Sequence, residues 1–344
     1  MKRLKMGLIG AGGIAENRHI PAYHALSEQV EITAVQDVNL VRAKEVAEKY
    51  AIPNVFENYL ELLNHVDAVT ICTPNKFHET IAVAALNQGV HVLCEKPMAM
   101  NADEGKRMLE AAEANNKRLM IGYHYRFVDS VMLAKESMPE VGTPIVTRVQ
   151  ALRQRKVPGW GVFINKDLQG GGSLIDWGCH LLDTALWLVA PSKPTEVNAQ
   201  TYQCLSKQPD QVNEWGSYDH EALDVDDHVS AYIRFDNGST LLFECSWAAN
   251  IKADKTHISI AGENGGVNVF PYEFYQPKYQ RMMETKTKTT GDQEEAALLQ
   301  AKNFIDACFG KDTLKSNPKD ALLVTKVIDA IYESSEKGKS IFID

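Results

Sequence analysis

The stretch Leu4-Lys5-Met6-Gly7-Leu8-Ile9-Gly10-Ala11-Gly12-Gly13-Ile14-Ala15 decides the fold of this chain. Leu4 to Ile9 reads as an apolar strand that runs directly into the pattern G-x-G-x-x-A. At the first strand-to-helix turn of a parallel sheet, the first glycine permits the tight turn. The second lets backbone approach a pyrophosphate, and a small third residue lets the helix pack closely. The helix start then offers N–H groups to phosphate oxygens. Those glycines also make Met6 to Ala15 a poor secretion signal, despite the basic run Met1 to Lys5. Asp37 ends the next apolar run, 22 residues past Ala15 (37 − 15), where a ribose-binding carboxylate is expected. An acid there favours NAD, because it repels the 2′-phosphate of NADP. Arg42 nearby keeps NADP possible.

Working outward, short apolar runs alternate with helical patterns. Strands are expected at Glu31–Asp37, Val55-Phe56, Ala68–Cys72, His91–Cys94 and Leu119–Gly122. Helices are expected at Leu40–Tyr50 with Asn39 as cap, at Phe77–Gln88 closed by Gly89, and at Ala102–Asn115 behind an Asn101/Glu104 capping box. This alternation implies right-handed βαβ units and a doubly wound parallel sheet. The pattern changes after Tyr123. Val128–Ser137 and Ser173–Val189 read as helices. Strands dominate at Pro144–Leu152, Val197–Cys204, Val229–Phe235, Thr240–Trp247 and His257–Ala261, with a hairpin signal at Asp236-Asn237-Gly238. Glu294–Phe309 and Lys319–Glu336 close the chain as helices. Lys207–Leu223 and Glu273–Gln293 read as long loops. The expected organisation is an α/β domain over residues 1–123 and an α+β domain over 124–344 with a large open mixed or antiparallel sheet.

Composition narrows the function classes. At 344 residues, two domains is the natural size prior. A formal net charge of −9 argues against a nucleic-acid partner, which needs a basic face. No apolar run reaches the ~18 residues of a membrane span. Cys72, Cys94, Cys179, Cys204, Cys245 and Cys308 have no CxxC spacing, so they read as reduced core thiols in a cytoplasmic protein without disulfides or structural zinc.

Four more segments carry polar chemistry. Thr73-Pro74-Asn75 follows the third strand of the parallel set, at the carboxyl end where ligands bind; His78 one turn on either touches the cofactor or packs. Glu95-Lys96-Pro97 ends the next strand, as a crevice lysine or as a surface salt bridge. Gly170-Gly171-Gly172-Ser173-Leu174-Ile175-Asp176-Trp177-Gly178-Cys179-His180 opens the long second-domain helix. Asp176 and His180, four apart, share one helical face, with Gly178 between them leaving room for a ligand. That pair reads equally as a site or as a dipole-friendly Asp beside a packed histidine. It lacks the third residue a metal site would need. Arg153, Arg155 and Lys156 with Trp160 lie shortly before this helix, as pocket residues or a solvated loop. Tyr123 and Arg126 leave the first domain at the crevice. Asp224, Asp226, Asp227 and His228 read as an acidic loop, and Phe270, Tyr272, Phe274, Tyr275 and Tyr279 as core or subunit interface.

The Gly10–Ala15 fingerprint, Glu95-Lys96-Pro97 and Asp176-x-Gly178-x-His180, in this order and spacing, resemble the Gfo/Idh/MocA oxidoreductases, and the resemblance spans nearly the whole chain. It implies a Rossmann domain followed by an α/β domain whose open sheet makes homodimers or homotetramers. It implies an NAD-dependent dehydrogenase of a cyclic polyol or sugar, an inositol first. Lys96 would hydrogen-bond the reacting oxygen, His180 would accept the hydroxyl proton, and Asp176 would orient the substrate. A histidine, titrating near ~6.5 when unperturbed, suits that task at neutral pH. Gly10, Gly12, Gly13, Ile14, Asp37, Thr73, Pro74, Asn75, His78, Glu95 and Lys96 would bind the cofactor, and Tyr123, Arg126, Arg155 and Trp160 would border the substrate. The alternatives are a sugar-active enzyme that retains its NAD with no net redox change and a non-catalytic sensor, a class that usually lacks the lysine or histidine.

Overall fold

The computed structural model describes residues 3–288 and 293–343. The chain forms two compact units, Met1–Phe127 with Gly291–Leu322, and Val128–Thr290 with Leu323–Asp344.

The first unit holds six strands: β1 (Leu4–Ile9), β2 (Val30–Gln36), β3 (Asn54–Phe56), β4 (Ala68–Ile71), β5 (His91–Cys94) and β6 (Leu119–Ile121). All pair in parallel, in the order β3-β2-β1-β4-β5-β6. The order reverses between β1 and β4, and that switch point is where a doubly wound sheet opens a crevice. Leu8, Ile9, Val69, Ile71, Val92 and Leu93 are fully buried, as strands covered on both faces require. The helices begin where local chemistry dictates. Asn39 Oδ1 accepts from the Val41 and Arg42 amides at 3.2 and 3.3 Å. Asn101 Oδ1 accepts from Glu104 N at 3.0 Å, while the Glu104 carboxylate reaches back to Met100 N. The helix Gln293–Cys308 lies with this unit: Arg118 Nε donates to Ala307 O at 3.2 Å, and Ser316 Oγ to Ile121 O at 2.7 Å.

The second unit is built on nine strands. In chain order they are β7 (Pro144–Leu152), β8 (Pro194–Tyr202), β9 (His228–Phe235), β10 (Thr240–Ser246), β11 (Lys255–Gly262), β12 (Gly266–Asn268), β13 (Glu273–Lys278), β14 (Arg281–Lys286) and β15 (Ile341–Phe342). They pair in the order β14-β13-β12-β11-β7-β10-β9-β8-β15, antiparallel except β7 with β10. β13 and β14 correct the expectation of a loop over Glu273–Gln293, of which 289–292 lie outside the described residues. β14 is exposed along its whole length, so no burial alternation marks it. Its hairpin turns at Tyr279 and Gln280, both at positive φ, in place of the Asn-Gly that usually signals such a turn. A helix, Asp129–Val141, precedes β7. The segment Leu174–Val189 opens with a π-helical turn, Leu174–Gly178, and continues as α-helix from Cys179. None of the six cysteines forms a disulfide; Cys204 is exposed, against the expectation of a core thiol, because it lies beyond the end of β8.

Candidate active site

In the first unit the glycine turn is shaped by close packing on one side and open space on the other. Gly10 has φ +93°, and a Cβ there would stand 2.8 Å from the Cys72 carbonyl, so only glycine fits. A Cβ on Gly12 would meet nothing within 4 Å. Helical structure follows at once, through a π turn at Ala15–His19 into Ile20–Ala25. Asp37 Oδ2 accepts from Ala11 N and Oδ1 from Asn39 N, each at 2.8 Å. The carboxylate thereby clamps the glycine turn to the end of β2, and each oxygen keeps a further lone pair for a hydroxyl. Arg42 donates to Ala11 O at 3.0 Å and pairs with Glu16. Thr73 Oγ1, just past β4, is buried without a hydrogen-bond partner in the described residues. An open glycine turn, a carboxylate with remaining acceptor capacity and an unsatisfied hydroxyl fit the pyrophosphate and riboses of a dinucleotide.

Behind this turn lie His78 and Glu95. His78 is fully buried; its Nδ1 faces Pro97 O at 2.8 Å and its Nε2 faces Thr73 O at 3.1 Å. It ties the Thr73 turn to the Lys96-Pro97 turn, and burial pushes its pKa down. Glu95 is buried and takes His19 Nε2 at 2.8 Å and Lys96 N at 3.2 Å. This replaces the surface Glu95–Lys96 pair that the sequence left open. Burial alone would raise the Glu95 carboxyl; the His19 hydrogen bond, with the His19, Arg18 and Lys96 charges, holds it well below the usual carboxylate range. Two expected pocket residues follow β6. Tyr123 is fully buried, and Arg126, also buried, donates to Asp320 Oδ2 at 2.7 Å and to Lys315 O at 2.9 Å.

In the second unit the segment carrying Asp176 and His180 starts at a buried carboxylate that sequence reading treated as loop. Asp226 Oδ1 accepts from Gly172 N (2.7 Å) and the Tyr332 hydroxyl (2.6 Å). Its Oδ2 accepts from Ser173 Oγ (2.8 Å) and Leu174 N (3.0 Å). An anion at a helix start is favourable, and here it also satisfies amides that have no partner within the helix. A Cβ on Gly172 would stand 2.0 Å from Asp226 O, so the glycine run serves close approach of backbone. Gly178 likewise corrects its first reading. Its Cβ position lies 2.8 Å from Cys245 Sγ and 3.2 Å from Phe243, so it seats the helix on β10.

Asp176 is held in place from two directions, both at Oδ2: by Arg153 at 2.8 Å and by the indole N–H of the buried Trp247 at 3.0 Å. The sequence places Trp247 at the end of an expected strand and gives it no role at the site, although a buried indole N–H needs a partner and so signals one. Arg153, from the basic loop, is the residue that reaches Asp176. Arg155 instead binds the carbonyls of Gln154 and Ala248 and the Asn250 side chain. Trp160 is half exposed and packs against Trp215. His180 lies one turn beyond Asp176 and is 6% exposed. Asp227 is pushed up by burial and by Asp226 beside it. Among the described residues no three His, Cys, Asp or Glu side chains gather to hold a metal ion, and no helix is long and apolar enough to cross a membrane.

Comparison with known proteins agrees with this architecture. A family model described as "Oxidoreductase family, NAD-binding Rossmann fold" matches residues 4–123, and one described as "GFO/IDH/MocA C-terminal domain" matches 139–268. D-glucoside 3-dehydrogenase of Escherichia coli K12 is 33% identical over 98% of this chain and 97% of its own. D-xylose 1-dehydrogenase (NADP(+)) 2 of Haloferax volcanii is 28% identical over 99% of this chain and 100% of its own. A structure of levoglucosan dehydrogenase in complex with NADH and levoglucosan shares the fold, with a TM-score of 0.87 at 24% identity, over 99% of this chain and 100% of that one.

Proposed function

The chain belongs to the Gfo/Idh/MocA oxidoreductase family, and from that membership we propose that it oxidises a ring hydroxyl of a cyclic polyol or sugar with NAD as hydride acceptor. At the coarser level it is an NAD-binding oxidoreductase acting on CH–OH groups of sugars or polyols. The observation that carries the finer reading is the one helical segment that bears Asp176 and His180 together, with Asp176 oriented by Arg153 and Trp247.

A dinucleotide held at the glycine turn would supply the hydride acceptor for the carbinol carbon. His180 accepts the hydroxyl proton as the carbonyl forms, since an alcohol cannot release it to water at neutral pH. Lys96 donates a hydrogen bond to the reacting oxygen and stabilises its developing negative charge. Asp176 accepts from a neighbouring substrate hydroxyl, and its fixed geometry selects one ring orientation. Gly12 and the helix start behind it bind the phosphates, Asp37 the ribose hydroxyls, and Thr73, Pro74 and Asn75 border the cofactor. Arg42, already paired with Glu16, is drawn away from a 2′-phosphate, which supports NAD over NADP. Within the substrate class we keep an inositol ring, and the name of the Escherichia coli relative adds a glucoside. We place the protein in the cytoplasm, where NAD and six cysteines outside disulfides are at home. Its open nine-stranded sheet is the surface on which we expect a homodimer or homotetramer to form.

NADH formation across a panel of inositols, sugars and glycosides tests the reaction, and His180→Ala tests the base. That variant should keep NADH binding and lose about 10²–10⁴-fold in kcat. Unchanged turnover would remove His180 from the mechanism.

A further inference from the structure

The loops that follow β7 and β8 share a small apolar core. Val157, Leu223, Val225, Trp247 and Ala248 form a small core, and Phe163, Ile164, Leu205 and Tyr218 pack against it. Trp160 and Trp215, from the same loops, stay outside, 52% and 38% exposed. Two adjacent indoles left in water next to an available core are costly, and such exposed patches mark places where something binds.

The two rings pack at a tilt and connect through Arg153 to Asp176. The Arg153 guanidinium, which bonds Asp176, lies 4.6 Å from the Trp177 ring and 4.6 Å from the Trp215 ring. Trp215 then meets Trp160 at 5.3 Å between centroids, tilted by 53°, and Trp160 rests its edge on Phe163 at 6.0 Å. The loops are pinned to each other. Asn213 exchanges hydrogen bonds with the Val157 backbone at 2.8 and 2.9 Å, and Glu214 N donates to Arg155 O at 2.8 Å. Lys156 joins Glu214 and Asp254 across the base. The platform is therefore built before any ligand arrives, which lowers the ordering cost of binding.

Indole faces suit the C–H face of a sugar ring or an aromatic ring, with ionic and polar groups around the rim for hydroxyls. A monosaccharide seated at Asp176 would place its anomeric substituent, one ring further out, within reach of this pair. We propose that Trp160 and Trp215 form a stacking subsite for the second ring of a glycoside, so that the substrate is a disaccharide or aryl glycoside in preference to the free monosaccharide. This rests on the sugar-dehydrogenase reading above and adds the substrate class to it.

The test compares glucose, methyl glucoside, phenyl glucoside, maltose and cellobiose on the full chain, by NADH formation and by titration of tryptophan fluorescence. Wild type should show a kcat/KM at least tenfold higher for a two-ring compound than for glucose, with a fluorescence change on binding. Trp160→Ala should collapse that ratio through KM, and Trp160→Phe should restore most of it. The disaccharide and phenyl arms tell a sugar ring from an aromatic aglycone. Equal kcat/KM for one-ring and two-ring compounds, or a Trp160→Ala ratio equal to wild type, overturns the subsite and leaves the dehydrogenase intact. A Trp160→Ala protein that changes oligomeric state in place of the ratio overturns it also, since the indoles would then be a subunit contact. No NADH from any sugar, glycoside or polyol overturns the underlying reading and the substrate class with it.

Discussion

Asp226→Asn isolates the anchor of the segment that carries Asp176 and His180. The carboxylate accepts four hydrogen bonds, two at each oxygen. An amide has one oxygen. If its NH₂ takes the Oδ2 place, Ser173 Oγ can rotate to accept, but Leu174 N–H cannot. If it takes the Oδ1 place, the Tyr332 hydroxyl can rotate, but Gly172 N–H cannot. Either way one buried backbone amide is left facing a donor, at a cost of about 1–3 kcal/mol. Loss of the negative charge at the helix start adds about 0.3–1 kcal/mol. Relief of repulsion with Asp227 returns part of this. The net expectation is a loss of about 2–3 kcal/mol. All five tryptophans (Trp160, Trp177, Trp187, Trp215, Trp247) lie in the second unit, so indole fluorescence during urea unfolding reports that unit. With a urea slope of about 2 kcal/mol/M, the midpoint should fall by about 1–1.5 M. Asp224→Asn is the control. Asp224 is exposed and accepts Lys166 N at 2.6 Å, a bond an amide oxygen can keep, so its midpoint should stay within about 0.3 M, the shift for ~0.5 kcal/mol at that slope. An Asp226→Asn midpoint as close to wild type as the control's would refute the claim that the carboxylate anchors this segment.

Gly12→Ala should leave the unfolding midpoint nearly unchanged, because its Cβ enters open space, while NADH affinity by fluorescence titration falls at least tenfold; a stable protein that binds NADH normally would move the pyrophosphate elsewhere. Gly178→Ala should cost about 1–3 kcal/mol by overpacking against Cys245 and Phe243; urea unfolding by fluorescence reads it, and a neutral result would mean the helix can lift from β10 without penalty. Acid should loosen the first unit in two stages, read by hydrogen exchange of β5 and β6. His91 Nδ1 accepts Arg118 N at 2.9 Å, and burial, then the Lys117 and Arg118 charges, push its pKa down to about 4. Its folded pKa is below the unfolded value, so stability is full above ~6.5 and is lost as pH falls from there through about 4. Glu95, also depressed, holds its contribution above ~4.3 and loses it at lower pH. Glu95→Gln should flatten that second stage, and an unchanged acid slope in the variant would discount the His19 pair.

Periodicity and turn chemistry were enough for the parallel sheet of the first unit. The glycine turn after β1, the Asn39 and Asn101 caps and the strand–helix alternation are local signals, and local signals are written in neighbouring residues. The three motifs of the candidate site were legible for the same reason, since each is a short run whose chemistry needs fixed spacing. Tertiary structure alone decided what those runs touch. Glu95 finds His19 from 76 residues away, and Asp226 finds Gly172 from 54 residues away. Arg126 turns to Asp320, and Trp247 delivers its N–H to Asp176. Segment 293–322 packs with the parallel-sheet unit although it follows the other unit in the chain. β14 prints no alternation because an exposed edge strand buries neither face, and β13 buries only Phe274, too little to mark a strand. Gly178 misled because a missing Cβ leaves the same mark in a sequence whether a ligand or a neighbouring strand fills the space. Such partners are chosen by burial and hydrogen-bond satisfaction across long loops, and no window of neighbouring residues contains them.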